Sequence, residues 1–337
     1  MAVRHLALVL VLAGAALRVA AGEAADPLRA LPDLPKPRPA AAAAAAPGDT
    51  VRDFAPGVQV VLGKRVILTG SVIMDQGPVD GLEVLACLAS GKTHEAIVRL
   101  AAPDGHTARA AFTAALGLEK EGVPAPESSG LPARGWPLAV TVEWADPDHP
   151  GATLAVAASS LVRDRSLDRS FPALPFIYTG SRFLTLDETG LDGKPVRHER
   201  FMLDSTKSIV VIFDEADALL AAPFPDSGTD KHFEVNSGIC PPAQTPVRLV
   251  FTPVELPLTL TQAADGALSA GGKPLGDAEL EALLTERYGA AATPAQRAVA
   301  VRVDPASERT VDVATRRRLL ILAASAKAWV VPVFVLP

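Results

Sequence analysis

Lys92, Thr93, His94 and Glu95 stand consecutively and bring an ammonium, a hydroxyl, an imidazole and a carboxylate together within one turn of chain. An imidazole titrates near neutral pH and can act as acid, base or ligand. A carboxylate beside it can orient the ring or accept its proton. Further groups of this kind occur at His198 with Glu199 and at His232 with Glu234. If folding gathered them, they would line a polar pocket or offer nitrogen and oxygen ligands to a metal. A plainer alternative stands beside this: Lys92 and Glu95 as a local surface pair, with His94 bonded into its own loop. Lys92, Thr93, His94, Glu95 and His232 are therefore candidates for ligand or partner binding. None is assigned a catalytic or metal-ligating role, and no cofactor is expected.

The chain has no nucleophile elbow, phosphate-binding P-loop or dinucleotide fingerprint. Gly190 and Gly193 read as turn glycines rather than a phosphate cradle. Two cysteines, Cys87 and Cys240, lie far apart without metal-ligand spacing. Two readings are open for them: a disulfide formed in an oxidising compartment, or two separate buried thiols.

These residues need a scaffold, and the composition supplies one. Hydrophobic residues make up 49% of the 337 and charged residues 21%, enough to bury a core. Aromatics are only 5%, so Ala, Val and Leu must fill it. A net charge of −6 and the absence of a basic stripe with interleaved aromatics argue against nucleic acid as a partner. The run Arg316, Arg317, Arg318 reads as a solvated helix face.

The N-terminus sets the expected compartment. Arg4 and His5 precede an apolar run over residues 6–17, and small residues follow to Ala21 and Gly22. That is the layout of an export signal, so residues 1–22 are read as a signal peptide or an uncleaved anchor. The protein is then expected in the periplasm or cell envelope, touching membrane only through an uncleaved N-terminus. Residues 26–50 are rich in Ala and Pro and read as an extended tether.

Residues 51–255 form a first folded region. β-branched residues on both sides of Gly63-Lys64 predict a hairpin over residues 58–68. Strands are predicted over 82–88, 138–144, 176–179, 208–213 and 248–251. A helix is predicted over 108–116, capped by Thr107, and a short one over 214–220. The segment 83–87 followed by Gly91-Lys92-Thr93-His94-Glu95-Ala96 resembles the YdjY-domain family of bacterial proteins, as do Tyr178-Thr179-Gly180-Ser181 and the segments 209–220 and 230–236. This resemblance covers about residues 55–255 and adds Tyr178 to the candidate binding residues. It implies a domain and carries no reaction.

Residues 256–337 form a second region. Leu258 to Thr261 alternate as a strand, Asp265-Gly266 turns, and residues 268–270 resume. Asp277 caps a helix carrying Leu280, Leu283 and Leu284. A strand over 299–303, a helix over 311–328 and a strand over 330–335 complete the order. Gly272-Lys273-Pro274-Leu275 and Val301-Arg302-Val303-Asp304 are among the residues that make it similar to the periplasmic domain of the ExbD/TolR biopolymer-transport family. In that family a membrane helix carries an ionisable residue; residues 6–17 contain no carboxylate.

The fold expected is α+β: two domains of mixed or antiparallel sheets with helices packed on one face. The function expected is an exported, non-catalytic envelope binding or scaffold protein, facing an envelope protein or cell-wall component, with a homodimer through 256–337 as one arrangement. The alternatives are an exported hydrolase or metal-assisted enzyme using His94 and Glu95, and an accessory component of an envelope transport system.

Overall fold

A computed structural model describes residues 27–43, 48–77, 81–119, 122–127, 129–189, 194–224, 227–229 and 231–337. The expected signal segment, residues 1–22, lies outside the described residues. Among those described, no helix is long and apolar enough to cross a membrane.

Eight strands close into a barrel: β1 (Arg65–Val72), β2 (Val84–Leu88), β3 (Ala96–Leu100), β4 (Arg134–Ala145), β5 (Phe176–Tyr178), β6 (Ser208–Val211), β7 (Leu220–Ala221) and β8 (Pro246–Pro253). Around the ring the order is β4, β8, β1, β3, β2, β6, β7, β5 and back to β4. The β2–β3 and β6–β7 pairs are parallel and the others antiparallel, so the sheet is mixed as expected. Closure removes the unpaired edges that an open sheet would expose. The longest strand, β4, shows the sequence logic. Leu138, Val140, Val142 and Trp144 are buried and alternate with half-buried Ala139, Thr141 and Glu143, the period of two that a sheet with one core face requires. The predicted hairpin forms: Val58–Val61 pairs antiparallel with β1 around Gly63.

Helix α1 (Gly105–Leu116) packs on the barrel through Ala108, Ala111, Phe112 and Ala115. Phe112 stacks on Tyr178 of β5 and meets Phe251 of β8 edge-on, each at 5.1 Å. Its N-cap is Asp104, whose carboxylate accepts from the Thr107 N–H at 2.7 Å. Thr107 was the expected cap; it is displaced because the carboxylate three residues earlier reaches the free N–H of the first turn. The helix expected over 214–220 does not form, and the chain there turns directly into β7.

The second region follows the expected order. β9 (Thr259–Gln262) pairs antiparallel with β10 (Leu268–Ala270) and parallel with β11 (Ala298–Val303). β11 pairs in parallel with β12 (Val331–Val335). Helix α2 (Asp277–Tyr288) is capped by Gly276 and not by Asp277, which is its first helical residue; the Gly276 N–H donates to Glu279 Oε2 at 3.0 Å. Helix α3 (Arg309–Ser325) packs on α2 and β12. β12 also pairs with the start of β4, Phe334 against Arg134 and Val335 against Gly135. The two regions therefore share a strand, and one hydrophobic cluster runs through both.

A buried polar network fastens that junction. Arg134 Nε donates to Asp312 Oδ2 at 2.6 Å and its Nη2 to the Ser307 carbonyl at 3.1 Å. Gln262 Nε2 donates to the other Asp312 oxygen and to Ser307 Oγ, both at 2.9 Å. Arg316, expected on a solvated face, is 9% exposed and donates to the Gly130 carbonyl. The loop ahead of β4 thus draws one arginine of the run inward, while Arg317 stays exposed.

The Ala/Pro-rich stretch is not a free tether over its described part. Leu28 and Leu31 are buried, and the turn Pro27–Ala30 packs on α3. Arg169 Nη1 donates to both the Leu28 and Leu31 carbonyls at 3.3 Å. Ala40–Ala41 pairs antiparallel with Leu154 and Ala155, and Asp49 forms ion pairs with Lys64 and Arg65. Two apolar anchors and an available sheet edge explain why this segment lies down.

Candidate functional site

The Lys92 segment lies in the crossover that joins parallel β2 to β3. The chain must travel back along the barrel there, and backbone bonds from Gly91 N–H to Leu88, Thr93 N–H to Gly91 and Glu95 N–H to Lys92 keep the crossover compact. Lys92 Nζ reaches Glu83 Oε2 at 2.6 Å and Glu215 Oε2 at 3.3 Å. Glu83 stands just ahead of β2 and Glu215 just after β6. Ser208, the first residue of β6, donates its hydroxyl to Glu215 Oε2 at 3.1 Å. His94 Nε2 lies 3.3 Å from Glu95 Oε1; the ring is 76% exposed and Glu95 is half-buried. Three of the expected residues, Lys92, His94 and Glu95, therefore meet at one rim of the barrel with Glu83, Ser208 and Glu215. Thr93 takes part through its backbone N–H.

The electrostatics follow from one ammonium among three carboxylates. Burial pulls the Lys92 ammonium down, but its hydrogen bond to Glu83 and the charges of Glu215 and Glu83 outweigh it, and the net shift is upward. Lys92 is thus held as a cation and is a poor nucleophile. Burial, and then the adjacent Glu83 carboxylate, push Glu95 above the usual glutamate value against the opposing pull of His94 and Lys92. Two carboxyls this close resist ionising together. One Glu215 oxygen, Oε1, is buried without a hydrogen-bond partner.

The remaining expected residues go elsewhere. Tyr178 is buried in β5, stacked on Phe112, so it is a core residue rather than a binding one. His232 borders a separate three-stranded sheet formed by Arg169–Ser170, Val162–Asp164 and Phe233–Val235, where its carbonyl accepts from Arg165 N–H at 2.7 Å. His198 sits in the hairpin of Phe183–Thr189 with Pro195–Phe201, opposite Leu186. Neither histidine belongs to the rim. Cys87 and Cys240 are separate thiols. Cys87 is enclosed in β2, and Cys240 Sγ lies 3.9 Å from the Met74 carbonyl. Burial pushes Cys87 up to about 11, with Arg99 opposing and Glu215 adding, and pushes Cys240 to about 12. Among the described residues, no group of three or more His, Cys, Asp or Glu is placed to hold a metal ion.

Glu83 and Glu215 escaped the sequence reading as site residues. Each was visible only as a single charge beside an apolar strand, and nothing local says that two strand ends 132 positions apart (215 minus 83) become neighbours. No family model, no curated protein and no solved structure matches this chain.

Proposed function

We propose that this chain is an exported, non-catalytic binding or scaffold protein of the cell envelope, built from a YdjY-like region and a region similar to the ExbD/TolR periplasmic domain. The observation that carries the binding reading is the rim cluster: Lys92 fixed by Glu83 at 2.6 Å and Glu215 at 3.3 Å, beside half-buried Glu95 and exposed His94. Such an arrangement is acid-rich and held in place before any partner arrives, and it offers acceptors to an amine or hydroxyl of that partner. A hydrolase working through a covalent intermediate would need an activated side-chain nucleophile beside the imidazole. The ring's ionisable partner here is Glu95, Lys92 is committed to Glu83 and Glu215, and the Cys87 thiol is held protonated. Export is supported by the charged start and apolar run of residues 1–22, and the envelope partner by the order of elements in residues 256–337.

The test is affinity capture from a detergent-solubilised envelope fraction, comparing the native chain with a His94→Ala/Glu95→Gln variant. Export is checked in parallel by fractionation and N-terminal sequencing. A defined envelope component retained by the native chain and lost by the variant is the expected result. Equal capture by both would remove the rim from the reading, and recovery of the chain with residues 1–22 intact from the cytosolic fraction would remove the envelope.

A further inference from the structure

We infer a second binding site, independent of the rim: a groove beneath the N-terminal strap that takes an anionic saccharide. Residues 33–38 of the strap form one wall, and the three-stranded sheet with the segment around Asn236 forms the other. The groove encloses about 600 Å³, inside the range of roughly 300–1,000 Å³ that small-molecule sites occupy.

Its charge is divided unequally between groups already engaged and groups left available. Arg163 is held by Glu234 and Asp168, and Arg169 donates to the Leu28 and Leu31 carbonyls. Lys36 and Arg38 line the same groove, are exposed, and have no ion-pair partner among the described residues. They are the cations a ligand would meet, and they select for a carboxylate or phosphate group.

The rest of the lining selects against a densely charged polyanion. Asp168, paired with Arg163, and Asp33, 3.9 Å from Arg169, lie in the same groove and offset its two arginines, so only Lys36 and Arg38 remain to attract charge. The aspartate oxygens instead suit hydroxyl donors. Asn236 commits both donated bonds to Ser160 and Ser170, at 2.9 and 2.8 Å, which leaves its amide oxygen to accept. Pro35, Pro37 and Ile239 supply apolar surface for the faces of sugar rings. A ligand with few charges among many hydroxyls satisfies all of these groups together.

The experiment is calorimetric titration of the full-length protein with trigalacturonate, maltotriose, glucose 1-phosphate and tripolyphosphate. Trigalacturonate or the sugar phosphate is expected to bind, maltotriose to bind more weakly by about tenfold, and tripolyphosphate to bind least; galacturonate titrated beside glucose 1-phosphate, each one ring with one anionic group, distinguishes carboxylate from phosphate. The exposed double variant Lys36→Gln/Arg38→Gln, shown by thermal unfolding to keep the native transition, is expected to raise Kd about tenfold or more. Maltotriose binding as tightly as the anions, tripolyphosphate binding tightest, an unchanged Kd in the double variant, or no binding of either sugar anion at millimolar concentration would each overturn the assignment.

Discussion

Asp104 and Glu95 are both carboxylates at the ends of regular elements, and their surroundings drive them in opposite directions. The backbone N–H of Thr107 bonds to ionised Asp104 and holds it below the usual aspartate value. Its stabilising effect is present above that usual value and is lost as pH falls through the lowered one. Asp104→Ala should therefore cost about 1 kcal/mol at neutral pH, measured by urea unfolding, and the difference from the native chain should shrink in acid. Glu95 is raised by burial and by Glu83. Between its ordinary and raised values the folded chain binds more protons than the unfolded one, so stability falls as pH rises through that window. Glu95→Gln should flatten this slope, and an unchanged slope would mean that burial and the Glu83 carboxylate do not raise Glu95. The Cys87 and Cys240 thiols, raised to about 11 and about 12 by burial, hold little thiolate at pH 8. Alkylation should leave both unmodified in the folded protein and label both after denaturation without reductant; failure to label would show that the two are joined.

Among the elements, β4 bears the heaviest constraint, because it pairs with β8, β5 and β12 along its length. Gly135 lies where β5 crosses it, and a Cβ there would stand 2.1 Å from the Tyr178 carbonyl oxygen. Gly135→Ala must push the strands apart and should cost about 1–3 kcal/mol, read as a lowered urea midpoint with an unchanged slope. The strands themselves were legible: alternation in residues 138–144 and the Gly63-Lys64 turn are local signals, and so is the helix–strand order of residues 256–337. Barrel closure was not legible, because it depends on pairing between strands such as β4 and β8 that are a hundred residues apart. The segment 214–220 misled for a related reason. Its Asp-Glu-Ala-Asp start favours a helix locally, but Leu219 and Leu220 are buried where the chain joins the barrel as β7, and tertiary burial outweighs propensity. At the rim, Lys92, His94 and Glu95 were legible because they are adjacent, and Glu83 and Glu215 were not because only the closed barrel brings them there. Tyr178 came from the family resemblance and His232 from residue type, and neither signal tells whether a side chain stacks in a core, borders another sheet or reaches the rim.

Two regions that read as separate domains in the sequence are joined in the fold. They share β4, a continuous apolar core and the Arg134–Asp312–Gln262–Ser307 network, in which Arg134 is 6% exposed and Asp312 fully buried. A buried ion pair contributes little beyond a well-packed apolar substitute, since desolvating both charges offsets their attraction, but removing one partner strands the other. Asp312→Ala leaves the Arg134 guanidinium and the Gln262 amide facing an apolar void, and should lower stability by roughly 3–5 kcal/mol. Because the Arg134–Asp312 bond joins the two regions, the loss should appear as a shift of a single cooperative transition rather than as melting of residues 256–337 alone. The double variant Arg134→Met/Asp312→Leu removes both charges at similar volume and should recover most of that loss. Calorimetry of the native chain and both variants separates the outcomes. Two resolved transitions in the native chain would mean that the junction is a contact between independent domains and not a part of their common core, and a double variant no more stable than Asp312→Ala would mean that the stranded Arg134 charge is not the source of the loss.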